Sequence, residues 1–318
     1  MARHSNVFRD FDRTAWLALA FLSLAMLLGG ASRADVFSTM IVRLAAIAAA
    51  AFCLLNAPSK PSAIKAPEYA MLFLAALMVL QLIPLPPVMW QALPGHGILT
   101  KGAEAAGVQN VWRPISMSPD RTLNALFACI PPAAALIVLM RIPLRALRML
   151  ILVPLLMFIL SGIVGFLQIL GGGSGSFYFY KVTNLGSAVG FFSNRNHQAL
   201  ALVLTLPLLA VVPALFSRNE MRAKFVAQLA AIGSAFVIPM VVITGSRTGL
   251  ILLALAFPVA LSMALRGVSK NKTKKAGALV NIAAPSLFIL VIGIIIFMAS
   301  RSKDSGLARL YSHDIAMD

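Results

Sequence analysis

The chain has 318 residues, of which 60% are hydrophobic and only 12% charged, far too apolar for a water-soluble domain of this size. The formal charge of +17 would point to nucleic acid in a soluble protein; here it is divided between the two faces of a membrane, and no nucleic-acid partner is expected. Cys53 and Cys129 both fall inside apolar runs, so neither a disulfide framework nor a metal site is implied.

Nine apolar runs follow one another: Thr14 to Ala31, Val36 to Leu55, Tyr69 to Ile83, Leu123 to Met140, Met149 to Leu170, His197 to Phe216, Phe225 to Ile243, Leu250 to Leu265 and Leu279 to Ala299. They predict an all-α, polytopic membrane helix bundle of about nine transmembrane helices, a single membrane domain over residues 1–318. The first run also fits a signal peptide, with Ser32-Arg33-Ala34 as a cleavage site; either way the second span enters from the outside.

With a cytoplasmic N-terminus, the inside segments hold Arg3, Arg9, Arg13, Lys60, Lys65, Arg141, Arg145, Arg148, Arg218, Arg222, Lys224, Arg266, Lys270, Lys272, Lys274 and Lys275, the larger part of the 27 basic residues. The positive-inside rule therefore predicts an N-terminus in the cytoplasm and a C-terminus on the opposite, periplasmic side.

Three outer segments are long: Pro84 to Thr122, Gly171 to Asn196, and the tail from Ser300. The first carries Pro84, Pro86, Pro87, Trp90, Pro94, Trp112 and Pro114, which suits a rigid loop at headgroup level with tryptophan anchors. The second opens with Gly171-Gly172-Gly173-Ser174-Gly175, expected to be flexible. Its Phe177-Tyr178-Phe179-Tyr180 run reads as an interfacial aromatic belt or as a platform for sugar stacking.

The second segment ends in Gly190-Phe191-Phe192-Ser193-Asn194-Arg195-Asn196-His197, where a polar loop turns into an apolar helix. Asn194 or Asn196 can cap that helix, and its free backbone N–H groups, with Arg195 and His197, are expected to form a site for an anion such as a phosphate. A second island, Thr244-Gly245-Ser246-Arg247-Thr248-Gly249, mirrors the first: Ser246 or Thr248 caps the eighth span, with Arg247 at its mouth. Arg195 and Arg247 are expected to face one outer cavity. The tail adds Arg301, Lys303 and Arg309, and from Ser305 onward Leu307 and Leu310 suit either a helix lying along the surface or a solvated end. Arg43, near the outer end of the second span, is expected to snorkel or to touch the same anion.

All ten acidic residues lie outside the spans or at their ends, and no internal repeat is visible. A membrane-embedded carboxylate for ion-coupled transport is therefore missing, and the short outer loop between the first two spans offers only Asp35 for a divalent metal. A reaction on an anionic substrate without metal or other cofactor fits better.

These two motifs, about fifty residues apart, together with Gln81-Leu82-Ile83-Pro84-Leu85-Pro86-Pro87 and Pro114-Ile115-Ser116-Met117-Ser118-Pro119, resemble the O-antigen ligase and O-antigen polymerase superfamily of bacterial envelope proteins. The likeness spans most of the chain, with a family core at roughly 185–318. It implies a multi-pass protein of the bacterial inner membrane that transfers an undecaprenyl-diphosphate-linked glycan, at the periplasmic face and without a metal, to the hydroxyl of a glycan or lipid A core acceptor. It also implies that Arg247, with Arg309 and Arg301, holds the diphosphate, while Arg195, Asn194, Asn196 and His197 shape the donor site. Members of the superfamily carry a catalytic histidine in a later periplasmic loop. The base is therefore expected beyond Asp318, in a chain expected to be truncated, since His313 comes too early and His197 belongs to the other motif. The alternative from another class is a noncatalytic or transport protein that binds the same polyprenyl-diphosphate glycan among membrane lipids.

Overall fold

The computed structural model describes residues 12–31, 33, 36–56, 65–142, 144–172, 177–216 and 220–268. The ninth apolar run and the tail, with Arg301, Arg309 and His313, lie outside the described residues, so the expectations placed on them have no structural counterpart here. The other eight runs are helical. Among the described residues six helices are long and apolar enough to cross a membrane, which makes this a multi-pass, all-α membrane protein. The described residues divide into two compact units, one within 1–28 and 33–147, the other within 29–32 and 148–318.

The first unit contains α1 (Arg13–Leu28), α2 (Phe37–Asn56), α3 (Lys65–Leu82), α4 (Pro87–Gln91), α5 (Gly97–Ala105), α6 (Pro119–Ala128) and α7 (Ile130–Arg141). Small side chains line its helix contacts: Ala15 and Ala18 of α1, Ala46 and Ala49 of α2 and Ala134 of α7 are all buried, allowing the close backbone approach on which packing in lipid depends. The start of α3 at Lys65, ahead of the expected Tyr69, follows from Pro67 and Glu68, both favoured in a first turn. α6 and α7 form one spanning segment broken at Cys129, because Pro131 and Pro132 lack the N–H groups that would continue the ladder. Arg43, expected to snorkel or to touch the anion, is engaged by a neighbouring helix of its own unit. Its guanidinium donates to Asn124 Oδ1 at 2.7 Å and lies 6.0 Å from the Phe127 ring, tying α2 to α6.

Between α3 and α6, β1 (Pro84–Leu85) pairs antiparallel with β2 (Arg113–Pro114), Pro84 opposite Pro114 and Leu85 opposite Arg113. Trp90 is 0% exposed, which corrects its expected role as an interfacial anchor. Its Nε1–H donates to Val111 O at 3.0 Å, and the Arg113 guanidinium stacks 5.3 Å from its ring centroid. The segment folds around this indole because a tryptophan buried with its N–H satisfied supplies a core of its own.

The second unit contains α8 (Leu144–Leu150, from Arg148 onward), α9 (Leu152–Leu170), α10 (Arg195–Phe216), α11 (Glu220–Ile243) and α12 (Arg247–Val268). α10 is central, touching α9, α11 and α12. Leu202, Val203 and Leu206 of α10 bury against Val237, Met240 and Val241 of α11 and Leu253 of α12. Gly249 of α12 lies so close to α10 that a Cβ there would collide with Ala199. Prolines inside α10, α11 and α12 are tolerated because neighbouring helices surround the interrupted ladders.

Candidate functional site

α10 begins where the sequence places a cap. Asn194 Oδ1 accepts the Asn196 N–H at 2.8 Å, so Asn194 and not Asn196 is the N-cap residue. The Arg195 N–H is taken by Asn184 Oδ1 at 3.0 Å, and the His197 N–H by Asn194 O at 3.1 Å. The first-turn N–H groups expected to be open to an anion are therefore already occupied. What remains at this helix end is side-chain chemistry: Arg195, Asn196 and His197 are exposed, and the His197 ring meets the Phe192 ring edge-on at 6.4 Å.

α12 is capped by Ser246, whose Oγ accepts the Gly249 N–H at 3.0 Å. Because that hydroxyl still has a proton to give, it also donates to Asn196 Oδ1 at 2.8 Å. One serine thus caps α12 and joins it to the first turn of α10, across fifty positions of sequence. The two helix N-termini lie side by side, and α10 and α12 pack directly on each other and run parallel, with α11 as the returning connection on another side of α10. Gly245, at φ +66°, makes the turn, and the space beside it is used: a Cβ built there would stand 3.6 Å from Arg195 Nη1. Arg195 therefore leans over the α11–α12 turn. Arg247, the first residue of α12, is exposed at the same helix end.

The hydrogen bonds also fix the polarity of this mouth. A backbone N–H can only donate, so the Oδ1 atoms of Asn184 and Asn194 face the backbone, and that of Asn196 faces the Ser246 hydroxyl. Their carboxamide nitrogens point the other way, at a helix end that also carries two exposed arginines. No Asp or Glu occurs in residues 177–216 or 221–268, and Lys181 adds another exposed cation to the loop. Such a surface suits an oxygen-rich anion.

The loop ahead of α10 is held by three buried polar side chains that sequence reasoning passed over. Gln168 Nε2 donates to Phe177 O at 2.8 Å and Gly190 O at 3.0 Å, while its Oε1 accepts the N–H groups of Val189 at 2.9 Å and Gly190 at 2.8 Å. Ser161 Oγ accepts the Phe191 N–H at 2.9 Å and donates to Gln198 Oε1 at 2.6 Å. Gly30 O accepts the Ser193 N–H at 2.9 Å. The signal was present, since a lone glutamine and a serine inside the apolar run Met149 to Leu170 must find partners in lipid. The aromatic run is partly inside this scaffold and not wholly a belt or platform. Tyr178 Oη donates to Ser187 O and accepts the Gly186 N–H, and Phe179 packs edge-on against Phe191.

Ser246→Ala removes both the cap and the link between helices. The expected loss is about 1 to 2 kcal/mol, from an N-cap deletion and a broken hydrogen bond, read as a lower thermal midpoint in detergent. An unchanged midpoint would mean that the Asn196–Ser246 bond does not hold the two helix ends together.

Compared with protein-family models, with curated proteins and with solved structures, this chain matches none.

Proposed function

We propose that this protein is a metal-independent glycan ligase or polymerase of the O-antigen ligase and polymerase type. It sits in the bacterial inner membrane with its N-terminus cytoplasmic and with α10 and α12 opening toward the periplasm. One observation carries the reading: the Asn196–Ser246 hydrogen bond unites two helix N-termini, each bearing an exposed arginine, within the two motifs on which the resemblance rests. In this reading Arg195 and Arg247 neutralise the diphosphate of an undecaprenyl-linked donor as it leaves the anomeric carbon, and the asparagine carboxamides orient its oxygens. The acceptor hydroxyl attacks from the opposite face as the bond from the anomeric carbon to the diphosphate oxygen breaks, so the configuration inverts and the hydroxyl proton ends on the departing diphosphate. The parallel course of α10 and α12 supports a common outward mouth, as the charge distribution along the sequence requires.

A second reading, binding without transfer, is favoured by the makeup of the same mouth. Guanidinium and carboxamide groups grip phosphate but do not accept a proton, and the ring of His197, the histidine among the described residues there, packs on Phe192. The test uses the full chain in vesicles with an undecaprenyl diphosphate glycan. Arg247→Ala is expected to weaken donor binding on the order of tenfold or more and to abolish transfer, while Lys272→Ala leaves both unchanged. Equal effects of the two substitutions would remove the anion site. Donor binding with no turnover in the unaltered protein would select the second reading. Reporter fusions that place Asn194 or Ser246 in the cytosol would overturn both.

A further inference from the structure

The segment between α3 and α6 is folded, and it turns apolar side chains away from its own core. Trp90 of α4 and Ala103 of α5 are buried, while Val88 is 82% exposed, Ile98 81% and Trp112 61%. Ile98 precedes Ala103 by five positions, about 140° around a helix, so it points away from that core. The segment is also stapled to the ends of two apolar helices. α4 begins at Pro87, just past the end of α3 at Leu82, and the Ser116 N–H donates to Gln81 O at 3.0 Å, just ahead of α6.

We propose that residues 84–118 form a rigid foot that inserts into the headgroup layer of the bilayer, with Val88, Ile98 and Trp112 as the inserting side chains. The occupant of this apolar surface is lipid, because the surface continues the apolar flank of α3, where Leu80 and Ile83 are likewise exposed at the end next to the foot. Charge placement agrees. Lys101 lies one turn along α5 from Ile98 on the same face, where its stem can follow the apolar surface and its ammonium can meet a lipid phosphate. Trp112, unlike the enclosed Trp90, has the exposure an interfacial anchor needs. Apolar burial drives the insertion, so it persists when salt screens the headgroup charge.

The inference is independent of any transfer activity and is tested by spin labelling of the full chain in vesicles of phosphatidylethanolamine and phosphatidylglycerol. In a Cys53→Ala, Cys129→Ala background, labels are placed at Ile98→Cys and, separately, at Val88→Cys, both exposed positions that leave the foot's core untouched. The expected result is a collision rate with oxygen several-fold above that with a water-soluble nickel chelate at both sites, unchanged in high salt. Higher nickel accessibility at both sites would show a loop in water and overturn the proposal. Immobilised labels reached by neither reagent would show a protein partner in place of lipid and would overturn it equally.

Discussion

Replacing Gly190 by alanine is expected to collapse the loop that carries the candidate site. Gly190 adopts φ +57°, a conformation an L side chain reaches only at a cost of about 1 to 2 kcal/mol. Its surroundings are closed as well: a Cβ there would collide with Ser161 Oγ and crowd Gln198 Oε1 and Ser161 O. Overpacking of this kind typically costs about 1 to 3 kcal/mol more, and here the displaced atoms belong to the Ser161–Gln198 bond that holds the loop. The combined destabilisation, on the order of 2 to 5 kcal/mol, should appear as a lower thermal midpoint in detergent. Faster tryptic cleavage after Lys181 and Arg195 should accompany it. A variant with wild-type midpoint and wild-type protection would mean that Gly190 is not confined as described.

Gln168→Leu makes the sharper contrast, because composition and structure predict opposite signs. Judged by hydropathy alone, exchanging a glutamine for leucine within an apolar run such as Met149 to Leu170, even near its end, should favour the membrane-inserted helix. The structure gives that one carboxamide four backbone partners, at Phe177, Val189 and twice at Gly190. Val189 and Gly190 are buried, so leucine would leave their polar groups unpaired, at about 1 to 3 kcal/mol for each. The expected outcome is a loss of several kcal/mol, with the tryptic sites in the loop exposed, while α9 still inserts. Gln168→Glu, which keeps acceptor oxygens but gives up the two amide donors, should recover only part of it. Because Gln168 and Gly190 act on the same loop, the double variant should be little worse than the poorer single one. Retained stability in Gln168→Leu would show that the loop stands without this amide.

The helical character of the eight described apolar runs could be read from the residues alone, and so could the caps of α10 and α12, down to a choice of two residues each. Each depends on local chemistry: apolar length set by bilayer thickness, and short polar side chains that satisfy the N–H groups of a first turn. The pairing of the two polar islands was expected from their common charge, but the bond that makes it, Ser246 to Asn196, depends on how α10 and α12 pack, and no local pattern encodes that. Packing likewise redirected Arg43 to Asn124 and enclosed Trp90, because a side chain near a span end meets whichever neighbour the bundle supplies before it meets water or lipid. The first-turn N–H groups of α10 are the clearest case. Sequence placed them at the mouth, and only tertiary structure brought Asn184 across to occupy one of them, since the fold of the loop, and no pattern within the helix, decides which acceptor lies within reach.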